Sequence, residues 1–111
     1  MLLEKEVTNL VNAIEETNEF KKFKKAKANL EKHKDLKEEI ELFQKKQMEL
    51  YNMNRQGKEA NNLAAEVNMS FNKLSQITEV NKLLVSGKAF NDMMLSIYKD
   101  INSLLDTKFL K

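Results

Sequence analysis

The sequence predicts an all-α protein of about five helices, arranged as an antiparallel helical bundle. Its 111 residues include no proline and only two glycines, whereas sandwiches and barrels need many tight turns. Leucine, lysine, glutamate, glutamine, methionine and alanine together make up more than half of the chain, and these residues lose little rotamer freedom in a helix. The thirteen asparagines are poorer helix formers, and several are expected to mark caps and ends. Apolar residues recur every three or four positions in five segments, the spacing of amphipathic helices.

The first two predicted helices cover residues 3–16 and 18–32. Thr17 is expected to cap the second helix, because its hydroxyl can accept a free N–H of the first turn. Phe20 and Phe23 lie at helical spacing on the face that also carries Ala26 and Leu30. The apolar stripe of the first helix consists of Leu3, Val7, Leu10, Val11 and Ile14.

Three further helices are predicted over residues 35–55, 59–75 and 79–105. Gly57 is expected to end the third helix in the left-handed conformation. Thr78 is the expected cap of the fifth helix. The seams of the third and fourth helices are Leu36, Ile40, Phe43, Gln47 and Leu50, then Leu63, Val67, Phe71 and Leu74.

The fifth helix is long enough to pack along a partner helix for most of its length. Gly87 inside it costs about 1 kcal/mol against alanine unless close packing repays that loss. Residues 106–111 are predicted to be a frayed tail. Without a linker or repeat, the chain reads as one domain, 1–111. The candidate oligomer interface on this helix is Val80, Leu83, Leu84, Phe90, Met94, Ile97 and Ile101.

Composition favours self-association. Hydrophobic residues make up 41% and charged residues 32%, against about 45–50% and 25% in typical domains. A limited supply of apolar side chains spread over long helices leaves much surface, and two chains can share one core.

Charge is segregated along the chain. Residues 1–19 carry five acids and one base, and residues 20–34 carry seven lysines and one acid. The net charge of +2 is too small to imply a nucleic-acid partner by itself. The basic helix can pair with its acidic neighbours or with a partner. Its candidate partner-facing basic surface is Lys21, Lys22, Lys24 and Lys25.

The same segment allows a second interpretation as an RNA-binding surface. Lysines with interleaved aromatics can hold phosphates and stack bases. Phe20 and Phe23 share the apolar face with Leu30, however, and are expected in the core. Nucleic acid is therefore the less favoured partner, and a membrane surface is less favoured still.

The sequence offers no support for catalysis or a cofactor. There is no cysteine, which excludes disulfides, thiolate nucleophiles and cysteine-bound metals. His33, the single histidine, is expected in a turn. The acidic clusters 15–19 and 38–41 lack the Glu-x-x-His pairs of metal-binding bundles and are expected to be solvated. The start of the chain does not resemble a secretory signal and no stretch is long enough to span a bilayer, so a cytoplasmic protein is expected.

Two segments resemble the YlbF/YmcA-like family of small bacterial helical proteins. The first is residues 14–30, followed by 40–43 and Gln47: an apolar helix, a threonine, acids, two spaced aromatics in a basic helix, then a phenylalanine. The second is residues 86–101, where a small residue precedes a Phe-Asn pair and an apolar seam. The likeness covers about residues 5–105, and the chain looks closest to the short, YheA-type members.

This resemblance implies an intertwined homo-oligomer with a regulatory or adaptor role. Relatives act with the membrane-attached endoribonuclease RNase Y and affect messenger RNA maturation, competence, sporulation and biofilm formation. Some carry a cysteine-bearing tail linked to an iron–sulfur cluster, which cannot be transferred to a chain without cysteine. His33 also stands where the family often has an aspartate that caps the next helix.

The function expected is that of a protein–protein adaptor or regulator without enzymatic activity, acting as a homo-oligomer. The protein partner is unidentified, with an RNase Y-type complex as the candidate from the resemblance. The alternative is a small RNA-binding accessory protein that uses the basic second helix.

Overall fold

The computed structural model describes residues 2–110, which form five helices and no strand over that range. Helix accounts for 89% of the described residues, far above the usual share of roughly one third, so the predicted all-α class is confirmed. The helices are α1 (Leu2–Glu15), α2 (Asn18–Glu31), α3 (Lys34–Arg55), α4 (Asn61–Ser75) and α5 (Thr78–Phe109).

Two predicted helix ends are confirmed in atomic detail. The backbone N–H of Phe20 donates to Thr17 Oγ1 at 3.2 Å, so Thr17 caps α2. Gly57 has φ +73° and follows the C-cap of α3. The N–H of Gly57 donates to the carbonyl of Asn54 at 3.1 Å, and that of Lys58 donates to Met53 at 3.0 Å. These two bonds form a Schellman motif, which satisfies carbonyls that the helix end leaves without partners.

The ends of α5 differ from the prediction. Thr78 is the first helical residue rather than the cap before it, a shift within the usual uncertainty of helix boundaries. The predicted frayed tail is wrong over 106–109, because α5 continues to Phe109. The apolar spacing continues through Leu105 and Phe109, and Lys108 places a positive charge at the negative end of the helix. Lys111 lies outside the described residues.

The described residues fall into two compact units. One contains the residues up to Ala26 together with those from Val85 onward, and the other is Lys27–Leu84. The prediction of a single domain stays a prediction.

An aromatic cluster joins α2 to α5 in the first unit. The Phe90 ring lies 6.1 Å from Phe20 and 5.6 Å from Phe23, centroid to centroid, the latter edge-to-face. Such pairs contribute about 0.5–1.5 kcal/mol beyond the area they bury. Phe20 and Phe23 therefore pack on the apolar side of α2 as expected, but both are half-buried and neither is among the buried core residues.

Gly87 lets α5 approach this cluster. It is buried, and a Cβ built on it would stand 3.1 Å from Cε1 of Phe23. Alanine would require the ring to move by a few tenths of an ångström, so close packing does offset the conformational cost of glycine at this position.

In the second unit, α3 and α4 form an antiparallel hairpin. The Phe43 and Phe71 rings lie 6.1 Å apart, and Lys46 Nζ donates to Glu66 Oε1 at 2.7 Å. The contacts run in opposite directions along the two helices, as expected for neighbours joined by a short loop. Val67 and Leu74 are the buried residues of α4.

The described core is sparse. Its buried apolar residues are all of small or medium size, and no described side chain is exposed by less than 2%. Many large apolar side chains among the described residues instead keep 40% or more of their surface exposed. The buried apolar residues are Ala26, Leu30, Val67, Leu74 and Val80.

Candidate functional site

The predicted basic surface is exposed on α2. Lys21, Lys22, Lys24 and Lys25 are all exposed. At about 100° per residue they occupy the arc of the helix opposite Phe23, Ala26 and Leu30. We call these four lysines the α2 basic face.

One short-range acidic partner reaches this face within the described residues. Lys21 Nζ lies 3.6 Å from Glu16 Oε2, with both side chains more than half exposed, so the pair adds little stability. No acid lies within 4 Å of Lys22, Lys24 or Lys25 in the part of the chain that the structure describes. Three of the four lysines are thus available to an external anion.

The α2 basic face offers no aromatic side chain for stacking. Phe20 and Phe23, the two aromatics of α2, contact the ring of Phe90. The remaining residues of the arc are Asn18, Ala28 and Asn29. Charge is therefore the main property that this face offers to a partner.

The residues predicted as an oligomer interface on α5 differ in exposure. Val80 is 3% exposed and belongs to the core of its own chain. Leu83, Met94 and Ile97 are half-buried, as is Phe90 in the aromatic cluster. Leu84 and Ile101 are 41% and 40% exposed. The interface itself stays a prediction, and its two most accessible residues, Leu84 and Ile101, lie far apart along α5.

Two apolar stripes of the first unit are more exposed than that seam. The α1 stripe consists of residues that are 40–61% exposed: Leu3, Val7, Leu10 and Val11. The distal α5 stripe consists of residues that are 40–81% exposed: Tyr98, Ile101, Leu104, Leu105 and Phe109.

The spacing in the sequence identifies the α1 stripe as apolar but does not predict its exposure in the fold, and Phe109 falls in the predicted frayed tail. The signal that could have found the distal α5 stripe is the unbroken three-to-four spacing from Ile101 to Phe109. No sequence signal distinguishes a stripe that packs inside the chain from one that does not.

A shallow groove between α3 and α4 lacks the features of a small-molecule site. Its volume is about 200 Å³, below the roughly 300–1,000 Å³ of typical ligand pockets. Its lysine Lys46 is paired with Glu66. The other lining residues include Glu39, Leu42, Phe43, Ser70 and Lys73.

The titratable groups are arranged as a solvated surface. His33 is exposed at the start of α3, in the turn where it was predicted. The hydrogen bond from Lys37 Nζ to Glu31 at 2.8 Å raises the pKa of Lys37 above its usual 10.5. Among residues 2–110, no three histidine or acidic side chains stand close enough to hold a metal ion. No helix in that range has the length and hydropathy to cross a bilayer.

These features define a class of protein. It is an all-α chain whose described residues present exposed apolar stripes and a basic helix face. Comparison with known proteins gives the family. Residues 3–106 match the family described as "Control of competence regulator ComK, YlbF/YmcA". The chain therefore belongs to the YlbF/YmcA family, and its membership supports a regulatory role.

Two bacterial relatives are similar over most of their length. A "UPF0342 protein" of Caldicellulosiruptor saccharolyticus is 36% identical over 96 residues, which cover 86% of this chain and 78% of the relative. A "UPF0342 protein" of Caldicellulosiruptor bescii is 35% identical over 96 residues, which again cover 86% of this chain and 78% of the relative. No solved structure is significantly similar to the chain.

Proposed function

We propose that this chain is a cytoplasmic regulator without enzymatic activity that works as an adaptor, binding both a second copy of itself and another protein. The observation that carries the proposal is the exposed apolar surface of α1 and distal α5, together with a basic face on which three of the four lysines lie near no acid. Contiguous exposed apolar surface marks interaction sites in soluble proteins. Family membership adds a regulatory context, the control of ComK.

The protein partner proposed is an RNase Y-type endoribonuclease complex, following the resemblance to relatives that act with that enzyme. The surface proposed to meet it is the α2 basic face. Charged surfaces of this kind increase the association rate and select the partner by charge complementarity.

The test is co-purification of tagged protein with the RNase Y-type enzyme from its native cell. We expect the enzyme to co-elute with the wild type and to be lost with Lys22→Glu/Lys25→Glu. The matched control is Lys45→Glu/Lys58→Glu, which makes the same charge change at exposed positions outside the face. If the enzyme is absent from the wild-type eluate, or is retained equally by both variants, this part of the proposal is wrong.

The alternative function is RNA binding through the same four lysines, and it makes a separate prediction. Four phosphate contacts would give a salt dependence of log K near −3, at about −0.7 per contact for single strands. We expect no sub-micromolar binding of a labelled single-stranded RNA at physiological salt, since the face lacks stacking residues. Tight binding with that slope, lost in Lys22→Glu/Lys25→Glu, would replace the adaptor proposal by the RNA-binding one.

A further inference from the structure

The α2 basic face belongs to a helix that is fixed to the rest of its unit. On the opposite side of α2, Phe20 and Phe23 contact the Phe90 ring of α5. The buried Gly87 brings the backbone of α5 close to Phe23. The lysines therefore extend from an element that is already ordered, and binding to them does not carry the cost of ordering a flexible segment.

The acids at the two ends of α2 neutralise only part of this face. Glu16 lies 3.6 Å from Lys21 in an exposed contact. Glu31 accepts a hydrogen bond from Lys37 Nζ at 2.8 Å, so its charge is compensated by a lysine of α3. The other three lysines of the face have no acid within 4 Å among the described residues. The face therefore keeps a positive charge that a partner can meet.

Ala28 makes a low point in the helix surface beside the lysines. It is exposed and follows Lys24 by four residues and Lys25 by three, so it lies next to both on the same helix. It carries a methyl group where its neighbours carry long chains that end in ammonium groups. The distance between two packed helices depends on the side chains at their contact. A second helix can therefore approach α2 closely at Ala28 while the lysines reach its flanks.

We propose that the α2 basic face docks an acidic α-helix of a partner protein, whose carboxylates line one side at intervals of three and four residues. The proposal rests on the function proposed above and names the chemistry of the partner segment. Lys21 and Lys25 are four residues apart, which is about 6 Å along the helix axis. Carboxylates four residues apart on a second helix have the same separation, so the two rows of opposite charge match.

Two other anionic partners fit this face less well. Single-stranded RNA is held partly by bases stacked on aromatic side chains, and the aromatics of α2 contact Phe90 instead. Basic helices that bind membranes insert apolar side chains at the lipid surface, whereas the rest of this arc is Asn18, Ala28 and Asn29. All four cations are lysines, which lack the planar fork with which arginine holds a phosphate in two places.

The test is a titration of the isotope-labelled chain, followed by NMR, with a helical peptide of about 20 residues, or roughly 30 Å. Its glutamates are spaced by three and four residues along one side, with alanine and glutamine elsewhere. A comparison peptide has the same composition, with the glutamates distributed around the helix. Single-stranded polyuridylate and vesicles that contain phosphatidylglycerol serve as probes for the other two partners.

We expect the one-sided peptide to bind at least about tenfold more tightly than its isomer at low salt, and to weaken as salt screens the charges. The largest amide shifts should lie in α2. Lys22→Glu/Lys25→Glu should abolish binding, whereas Lys45→Glu/Lys58→Glu should bind the peptide as the wild type does.

Ala28→Leu distinguishes a docked helix from attraction between charges alone, because it keeps every charge and fills the low point. Leucine is a good helix former, so the fold should be preserved. We expect binding of the one-sided peptide to weaken by about tenfold, since a larger side chain obstructs close packing. The matched control is Ala65→Leu, the same change at an exposed position of α4, which should leave binding unchanged. Unchanged binding in Ala28→Leu would overturn the proposal.

The remaining outcomes separate this proposal from the proposed function. No binding of the one-sided peptide, equal binding of the two peptides, or tighter binding of the RNA or the vesicles would reject the acidic helix. A change in the molecular mass of the free chain in Lys22→Glu/Lys25→Glu would also reject it, because the occupant would then be a second copy. If the enzyme still co-elutes with the wild type and is lost in that variant, the proposed function stands without the acidic helix. Peptide binding without a co-eluting enzyme supports the acidic helix and rejects that enzyme as its source.

Discussion

At the scale of single residues, the helix ends follow local rules where the residue has the required chemistry. Thr17 caps α2 through its hydroxyl, and Gly57 ends α3 with φ +73°. His33 occupies the N-cap of α3 with φ −115° and ψ 81°, and its side chain makes no capping hydrogen bond. The start of α3 is thus the terminus at which a single substitution can add stability.

His33→Asp is expected to stabilise the protein by about 1 kcal/mol, because a carboxylate can accept a first-turn N–H and favours the positive end of the helix. The melting temperature should rise by roughly 4 °C, as measured by circular dichroism. The matched control is His33→Ala, which removes the imidazole without adding an acceptor. If the aspartate variant melts no higher than the alanine variant, a side-chain hydrogen bond at the N-cap of α3 does not stabilise the protein.

A double-mutant cycle at Gly87 and Phe23 tests the close approach of α5 to α2. In the wild type, Gly87→Ala gains helix propensity of about 1 kcal/mol but forces its Cβ to within 3.1 Å of the Phe23 ring. The two effects should nearly cancel. In a Phe23→Ala background the clash is gone, and the same change should stabilise by about 1 kcal/mol. Equal effects in both backgrounds, measured by urea unfolding, would show that the two residues are not coupled.

At the scale of helices, the stability of the first unit depends on how α2 meets α5. The Phe90 ring contacts both Phe20 and Phe23, and the small residue Gly87 lies one helical turn before it. The surface ion pair Lys88–Asp92 at 3.0 Å is exposed and contributes little by comparison.

Phe90→Ala is expected to destabilise the protein by about 2–3 kcal/mol, at or below the low end for phenylalanine because the side chain is only half-buried. Leu95→Ala is the matched control on the same helix, since Leu95 is 64% exposed and should cost less than about 1 kcal/mol. Chemical denaturation of both variants gives the comparison. Equal losses would mean that the aromatic cluster does not hold α2 on α5.

At the scale of the whole molecule, the exposed large apolar side chains outnumber the buried apolar ones among the described residues. The exposed ones include the α1 stripe and the distal α5 stripe, while buried core residues number five among those described. A protein in this state is expected to gain stability from association, and that gain depends on protein concentration.

The melting temperature should therefore rise with protein concentration. Leu105→Asp should abolish this dependence, because a lone carboxylate in an apolar interface is costly. Ser103→Asp introduces the same charge on the opposite face of α5 and should preserve it. The melting temperature is measured by calorimetry over a hundredfold range of protein concentration. A melting temperature that does not change with concentration in the wild type would contradict self-association.

A metal chelator should leave the melting temperature unchanged. Structural metal binding contributes directly to folding free energy, and the proposed function assigns no role to a metal. A fall of many degrees in the presence of the chelator, reversed by added zinc, would reveal a site that the proposal lacks.

The sequence by itself determined the helices and most of their ends. The absence of proline, the apolar spacing, Thr17 and Gly57 act through local backbone and hydrogen-bonding rules, which do not depend on distant residues. It also determined that the α2 lysines lie opposite the apolar face, because helical geometry alone places them there. The cysteine-free composition likewise excluded thiol chemistry without any structure.

Only the tertiary structure decided which apolar residues are buried. Phe20 and Phe23 in α2 pack against Phe90 in α5, while Val7 and Leu10 of α1, at the same kind of spacing, remain 57% and 40% exposed. Spacing specifies that a helix has an apolar face, but contact with that face depends on residues far away in sequence. For the same reason, the proposed interaction surfaces at α1 and at the end of α5 emerged from exposure in the folded chain.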